Sequence, residues 1–177
     1  SSTKNRKMFF YFWGNHNNLN IMIKIRKGRK GDLPFVLSLI KELAKYENAE
    51  DQVSIGVKEL ENDGFGDKPL FYFLIAEINS EMVGMAFYYI KYSTWKGKCL
   101  FLEDFIVTKK FRRKGVGEKL FEEIIRITKK LDMNRVMWQV LDWNYEAINF
   151  YKKYNANISN EWLDGRITKE QMKKIRL

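Results

Sequence analysis

One cysteine, one histidine and two prolines stand among 177 residues, and each scarcity closes off some chemistry. Cys99 lies alone in an apolar run, so no disulfide framework forms within the chain and no zinc site can be assembled from thiols. Such cysteine usage goes with a reducing compartment, and the chain is expected to be cytoplasmic. The only histidine, His16, sits in an odd N-terminal stretch, which leaves no histidine-based triad for the globular part. Catalysis there must rely on carboxylates, tyrosine or backbone groups, and no metal is expected. No apolar run approaches the roughly 20 residues that span a bilayer, so no membrane partner is expected either. Internal repeats and low-complexity tracts are also missing.

Hydrophobic residues make up 45% of the chain and aromatic residues 15%, which is enough for one domain with a proper core and too little length for two. Residues 1–20 mix serine, asparagine and basic residues around the aromatic knot Met8–Trp13. They read as a leader or upstream extension, poorly ordered and lacking the cleavage site of a signal peptide, with Met22 as a natural start. Residues 21–177 are expected to be the single folded domain. The net charge is +10, but it is unevenly spread. Between 42 and 67 stand eight acids (Glu42, Glu47, Glu50, Asp51, Glu59, Glu61, Asp63 and Asp67) against Lys45 and Lys58. Basic residues gather at 109–114, 126–135 and 169–176. One region suits a polyanionic cofactor and the other a cationic substrate, although ordinary solvated helix faces produce the same runs.

Alternation predicts strands over 21–26, 70–78, 82–92, 98–107 and 135–141. The Asn79-Ser80 turn makes the second and third of these a hairpin. Helical spacing appears from Asp32, expected to cap a helix with Pro34 in its first turn, to about Tyr46. Further helices are expected over 57–63, broken by Asn62-Asp-Gly-Phe-Gly66, then over 115–131 and over 145–154, with Asn155 closing the last in a left-handed conformation. Two short strands within 158–167 and a final turn or helix over 169–175 complete the pattern. The order β-α-α-β-β-β-α-β-α-β describes an α/β fold in the mixed α+β sense, a sheet flanked by helices.

The richest stretch is Phe105-Ile-Val-Thr-Lys-Lys-Phe-Arg-Arg-Lys-Gly-Val-Gly-Glu-Lys-Leu120, a strand passing through a basic, glycine-marked turn into an amphipathic helix. Gly115 and Gly117 let the backbone approach a ligand, and a helix start offers unbonded N–H groups and the positive end of a dipole to a pyrophosphate. It is not a P-loop, because Glu118-Lys119 follows where Lys-Ser or Lys-Thr is needed, and Leu120 stands where a dinucleotide fingerprint needs glycine or alanine. Upstream, Glu103 interrupts the apolar run 99–107. On a regular strand it shares a face with Phe101 and Phe105 and has Asp104 on the opposite face, and an unpaired carboxylate among such neighbours would be costly.

Arg112-x-x-Gly115-x-Gly117 resembles the acetyl-coenzyme A signature of the GCN5-related N-acetyltransferases. The resemblance sharpens toward the spermidine/spermine and thialysine acetyltransferases through Leu39–Glu47, Asp63–Gly66, Tyr92–Gly97, Leu102–Phe105, Asp142–Asn144 and Asn149–Lys152, blocks that cover roughly 22–156. It implies a mostly antiparallel sheet of six to seven strands with about four helices, and acetyl transfer from acetyl-CoA to a primary amine in a ternary complex. By the same resemblance Glu103 activates the amine through water and Tyr151 protonates the leaving thiolate. Phe105, Ile106 and Val107 meet the acyl-pantetheine arm, Arg112, Arg113, Lys114, Gly115, Val116 and Gly117 hold the pyrophosphate, and Glu118 and Asn144 touch coenzyme A. Tyr46, Glu47, Trp95, Glu103 and Glu161 line the amine channel, and the protein is a homodimer.

Ser93-Thr94 replaces an acid of the polyamine enzymes, which favours a shorter amine carrying its own carboxylate. The region after Ala156 departs from the family's pattern and leaves Glu161 in doubt. Acetylation of a protein lysine or N-terminus is the alternative on the same fold. A basic nucleic-acid-binding module would leave the glycine turn unexplained, and no nucleic-acid partner is expected.

Overall fold

Five strands form one sheet in chain order: β1 (Ile23–Lys27), β2 (Tyr72–Ile78), β3 (Glu81–Ser93), β4 (Gly97–Val107) and β5 (Val136–Trp138). The first four are antiparallel neighbours, and β5 pairs parallel to β4. The structure is a computed structural model that describes residues 22–176. The expected leader, residues 1–20, lies outside the described residues.

The helices α1 (Leu33–Tyr46), α2 (Val57–Phe65), α3 (Val116–Lys130), α4 (Tyr145–Lys152) and α5 (Lys169–Lys174) follow the expected order. The chain divides into two units, one ending at Trp138 and the other starting at Gln139. In the first unit Leu33, Val36 and Leu39 of α1 pack with Leu60 of α2 on Phe73, Ile75, Met85, Phe87 and Ile106 of the sheet, forming its main core. On the other face Phe121 of α3 meets Phe105 edge-on, with ring centroids 6.0 Å apart. Removing these aliphatic and aromatic surfaces from water, at roughly 25 cal/mol per Å², dominates the stability of such a layered unit.

The fold class stands, but four sequence expectations change. The sheet has five strands rather than six or seven. The predicted strand 135–141 pairs only over Val136–Trp138, and 158–167 forms no strand. Helix α2 does end inside the expected Asn62–Gly66 break, at Phe65 with Gly66 as its C-cap, so Gly64 is helical. A Cβ on Gly64 would stand 2.5 Å from the Phe71 ring, so the glycine is there to let that ring pack closely. Asp32 occupies the N-cap position of α1 without a side-chain capping bond. Its carboxylate instead accepts two bonds from Arg26, at 2.6 and 2.9 Å, and one from the Arg29 N–H at 2.7 Å. Arg26 also binds Glu77 at 2.6 Å, so a three-residue ionic brace ties β1, β2 and the entry to α1 together. This brace holds the Asp32 carboxyl below the usual carboxylate range.

The turns behave as read. Asn79 and Ser80 both take positive φ, 50° and 65°, the backbone that a two-residue hairpin requires. Asn155 follows α4 at φ 55°.

Candidate active site

Strand β4 carries an extra residue where chemistry was expected. Phe87 pairs with Asp104 and Tyr88 with Leu102, which leaves Glu103 as the inserted residue of a β-bulge. The insertion breaks the alternation assumed from sequence. Phe101 pairs with Tyr89 and Phe105 with Ala86, and partners three apart on β3 point to opposite faces, so Phe101 and Phe105 do not share one. Asp104, opposite Phe87, lies on the α1 side together with Phe101 rather than across from Glu103's neighbours.

The bulge brings three carboxylates into one electrostatic neighbourhood. Glu47 is the C-cap residue of α1, and Glu103 and Asp104 follow one another on β4. Burial raises the pKa of Asp104 from its ordinary 3.8 to about 6, helped by the negative charges of Glu103 and Glu47. Burial alone raises Glu47 and Glu103. No ion pair to any of the three is formed among the described residues. Sequence reasoning found Glu47 and Glu103 but missed Asp104. The available signal was the Glu-Asp doublet in a strand where regular alternation would send one carboxylate into each hydrophobic layer.

This arrangement has a measurable cost. The folded chain binds a proton at Asp104 more tightly than the unfolded chain does, so between about pH 4 and 6 the native state holds more protons and stability falls as pH rises. A shift from 3.8 to about 6 corresponds to about 3 kcal/mol at neutral pH. Asp104→Asn should therefore melt several degrees higher than the parent at pH 7.5 and at nearly the same temperature at pH 4. Parallel melting curves at the two pH values check this, and a gap that does not grow with pH would refute the assigned environment.

A second group of residues borders the other end of β4. That strand pairs with β5 only over Leu100–Leu102, then runs on through residues 103–107 with no strand on that side. Beyond it, Arg113 at φ 61° and Gly115 at φ 82° curl the backbone in the left-handed sense, and α3 starts at Val116. The first helical bond runs from the Lys119 N–H to the Gly115 carbonyl at 3.1 Å, so the N–H groups of Val116 and Gly117 lie ahead of the ladder. Such curled N–H groups at a helix start make an anion cradle. Gly115 is needed for its dihedral angle: a Cβ there would meet nothing closer than 3.8 Å, but a side chain would strain φ 82°.

The cations divide their work. Arg112 donates through Nε to the Val107 carbonyl at 3.0 Å and places its guanidinium 5.7 Å from the Tyr46 ring centroid. It thus joins the end of β4, the end of α1 and the cradle, and Tyr46 directly precedes Glu47. Lys110 and Lys114 hold their ammonium groups 4.9 and 5.2 Å from the Phe111 ring centroid. Arg113 and Lys114 are exposed. Glu118 adds a carboxylate to the first turn of α3.

The remaining expected residues are more scattered. Trp95 is 82% exposed in the turn between β3 and β4. It stands about 20 Å along β4 from Glu103, counting six residues from Gly97 at ~3.3 Å each, so one chain does not bring the two together. Ser93, where an acid was missing, builds that turn: its hydroxyl accepts the Trp95 and Lys96 N–H groups at 3.3 and 3.2 Å and Arg135 Nη2 at 3.2 Å. In the second unit Asn144 caps α4, its carbonyl accepting the Ala147 N–H at 3.2 Å. Tyr151 lies on α4 and is 5% exposed, and burial raises its phenol well above the ordinary value. Glu161 is exposed in a stretch without regular structure.

Comparison with known proteins agrees with this geometry. The model of the acetyltransferase (GNAT) family matches residues 37–156. The chain is 36% identical over 164 residues to the thialysine N-epsilon-acetyltransferase of Bos taurus, covering 86% of this chain and 96% of that protein. It is 39% identical over 159 residues to the spermidine/spermine N(1)-acetyltransferase-like protein 1 of Homo sapiens, covering 84% of this chain but only 23% of that longer protein. Among solved structures, an integron cassette protein from the mobile metagenome of V. cholerae superposes with a TM-score of 0.69 at 21% identity, over 86% of this chain and 96% of that one. The aminoglycoside N-acetyltransferase AAC(6')-Iy, solved in complex with CoA, gives 0.64 at 17% identity over 83% and 95%. At such identities the two structures speak for the fold alone.

Proposed function

The chain belongs to the GNAT acetyltransferase family, which makes it an acetyl-CoA-dependent N-acetyltransferase, and on that premise we propose that its acceptor is the primary amine of a small cationic molecule, a diamine, polyamine or thialysine-like amino acid. The observation that carries this reading is the bulge on β4, which gathers the Glu47, Glu103 and Asp104 carboxylates, none of them in an ion pair among the described residues. An alkylammonium supplies the missing charge.

Acetyl-CoA would bring the acetyl group as an activated thioester. The residues fit it: the Gly115 turn and the α3 start suit its phosphates, Arg113 and Lys114 add positive charge, and the Asn144 amide is assigned a cofactor contact. Phe105, Ile106 and Val107, on the part of β4 that runs past β5, are assigned to the pantetheine arm.

An alkylammonium with a pKa near 10.4 is not a nucleophile, so a proton must leave first. Glu103, whose pKa burial raises, is assigned to accept that proton through water. Tyr151, kept protonated by its own burial, is assigned to return a proton to the departing sulfur. Asp104 and Glu47 hold the cation in place, and Tyr46 offers it an aromatic face.

The test is thiol release from acetyl-CoA across putrescine, spermidine, spermine, thialysine, lysine and a lysine peptide. Turnover with a free amine is the expected result. Turnover confined to the peptide would overturn the small-molecule reading in favour of protein acetylation.

A homodimer and a cytoplasmic location complete the proposal. Trp162, Leu163 and Ile167 are 81%, 96% and 60% exposed in a segment whose sequence has strand character but which pairs with no strand among the described residues. That pattern supports a second copy supplying the missing edge. Sedimentation should show a dimer at micromolar concentration, and Leu163→Asp should shift it toward monomer. A parent chain that sediments as a monomer would remove the idea.

A further inference from the structure

Strand β1 ends early, and its end leaves part of the sheet bare. The Gly28 N–H closes β1 on the Phe73 carbonyl at 2.7 Å, while β2 and β3 continue past it with Tyr72 opposite Tyr88. On the α3 side of this uncovered sheet lies an open groove of about 620 Å³, within the range of small-molecule sites. Its floor is Tyr72, Tyr88, Leu74 and Ile90, and its wall is the last turns of α3 with Ile127 and Leu131. Phe65 and Phe73, edge to face at 6.1 Å, close its outer end. Ile90, Leu131 and Tyr72 remain 49%, 48% and 44% exposed, so a continuous apolar surface faces solvent.

The charges around it are of one effective sign. Arg26 is neutralised by Asp32 and Glu77, and Glu123 by Arg126. Lys27 and Lys130 also line the groove, both exposed and neither in an ion pair among the described residues. Tyr72 offers an exposed ring face to the groove, and the buried Tyr88 ring packs beside it, with centroids 5.8 Å apart and planes 33° from parallel. Burial raises the Tyr88 phenol, which keeps it a hydrogen-bond donor at neutral pH. Neither the cradle residues nor the three carboxylates line this groove. Eleven residues of α3 separate Val116 from Ile127, about 16 Å at 1.5 Å each.

We propose that this groove is a second binding site, for a multi-ring aromatic anion whose flat body lies on Tyr72, Ile90 and Leu131 and whose carboxylate or sulfonate meets Lys27 and Lys130. An exposed aromatic face favours stacked or edge-on rings over a flexible chain, and two ammonium groups at the edge of an apolar floor favour a single anionic head. The site is independent of the acetyl-transfer reading, because no residue assigned to that chemistry lines it.

Fluorescence titration of the full chain with 1-anilinonaphthalene-8-sulfonate tests it. One saturable equivalent should bind. Lys130→Glu should weaken binding at least tenfold, Ile90→Glu should abolish it, and Lys129→Glu, on the exposed neighbour outside the groove, should leave it unchanged. Circular dichroism melts establish that each variant is folded, and Lys130→Arg should restore binding. Saturating acetyl-CoA should not displace the probe. Binding indifferent to Lys130→Glu and Ile90→Glu, displacement by acetyl-CoA, or equal competition by decanoate would each overturn the proposal.

Discussion

Tyr151→Phe is expected to lower turnover roughly 100- to 1,000-fold while the KM for acetyl-CoA changes by less than about threefold. The substitution keeps the ring, so the packing that leaves Tyr151 5% exposed survives and only the hydroxyl is lost. A phenol raised by burial is a poor acid at rest but stays fully protonated over the working pH range, and a thiolate leaving a thioester needs one proton. The two kinetic constants must therefore separate: kcat falls and cofactor binding holds. A combined loss of both would point to a structural role for the ring's hydroxyl, and an unchanged kcat would remove Tyr151 from the chemistry. Poorer thioester leaving groups should widen the gap between parent and variant, a response that a packing defect would not give.

Much of the fold is legible because its signals are local. The apolar stripe of α1, the Asn79-Ser80 turn and the left-handed Asn155 each depend on residues within a few positions of one another, and each is found as read. What escaped is set by distant partners. The bulge at Glu103 exists only in the register between β4 and β3, and within β4 only the Glu-Asp doublet hints at it. Asp32 looks like a helix cap, but Arg26 competes for its carboxylate, and a charge-assisted pair outweighs one N–H. Gly64 reads only as part of a helix-ending stretch, because the demand of the Phe71 ring for space is invisible from the neighbouring sequence. The same division runs through the candidate site. The glycine turn is a contiguous motif, and the turn and the helix start lie where they are read, whereas the place of Asp104 follows from a pairing shift. Arg112 is expected at the pyrophosphate, and its Nε bond to the Val107 carbonyl and its contact with the Tyr46 ring, which tie the end of β4 to the end of α1, depend on partners far away in sequence.

Glu103→Gln should reduce kcat/KM for the amine by about 100-fold, and the loss should depend on pH in a defined sense. The carboxylate acts as a base only when ionised, and burial raises its pKa, so the parent's activity should rise with pH along a limb lying above the ordinary glutamate range. Glutamine cannot titrate, and the limb should vanish from the variant. The substitution also removes one of the two charges that raise Asp104. Asp104 should then titrate lower, and the fall in stability with rising pH should shrink, because less of the native state's excess proton binding remains. A base that merely holds structure would leave the pH limb in place, and a distant carboxylate would leave the stability profile unchanged. Loss of the limb together with a flatter stability curve is the joint signature of Glu103 acting as the amine's base from within the same group of carboxylates that attracts the amine.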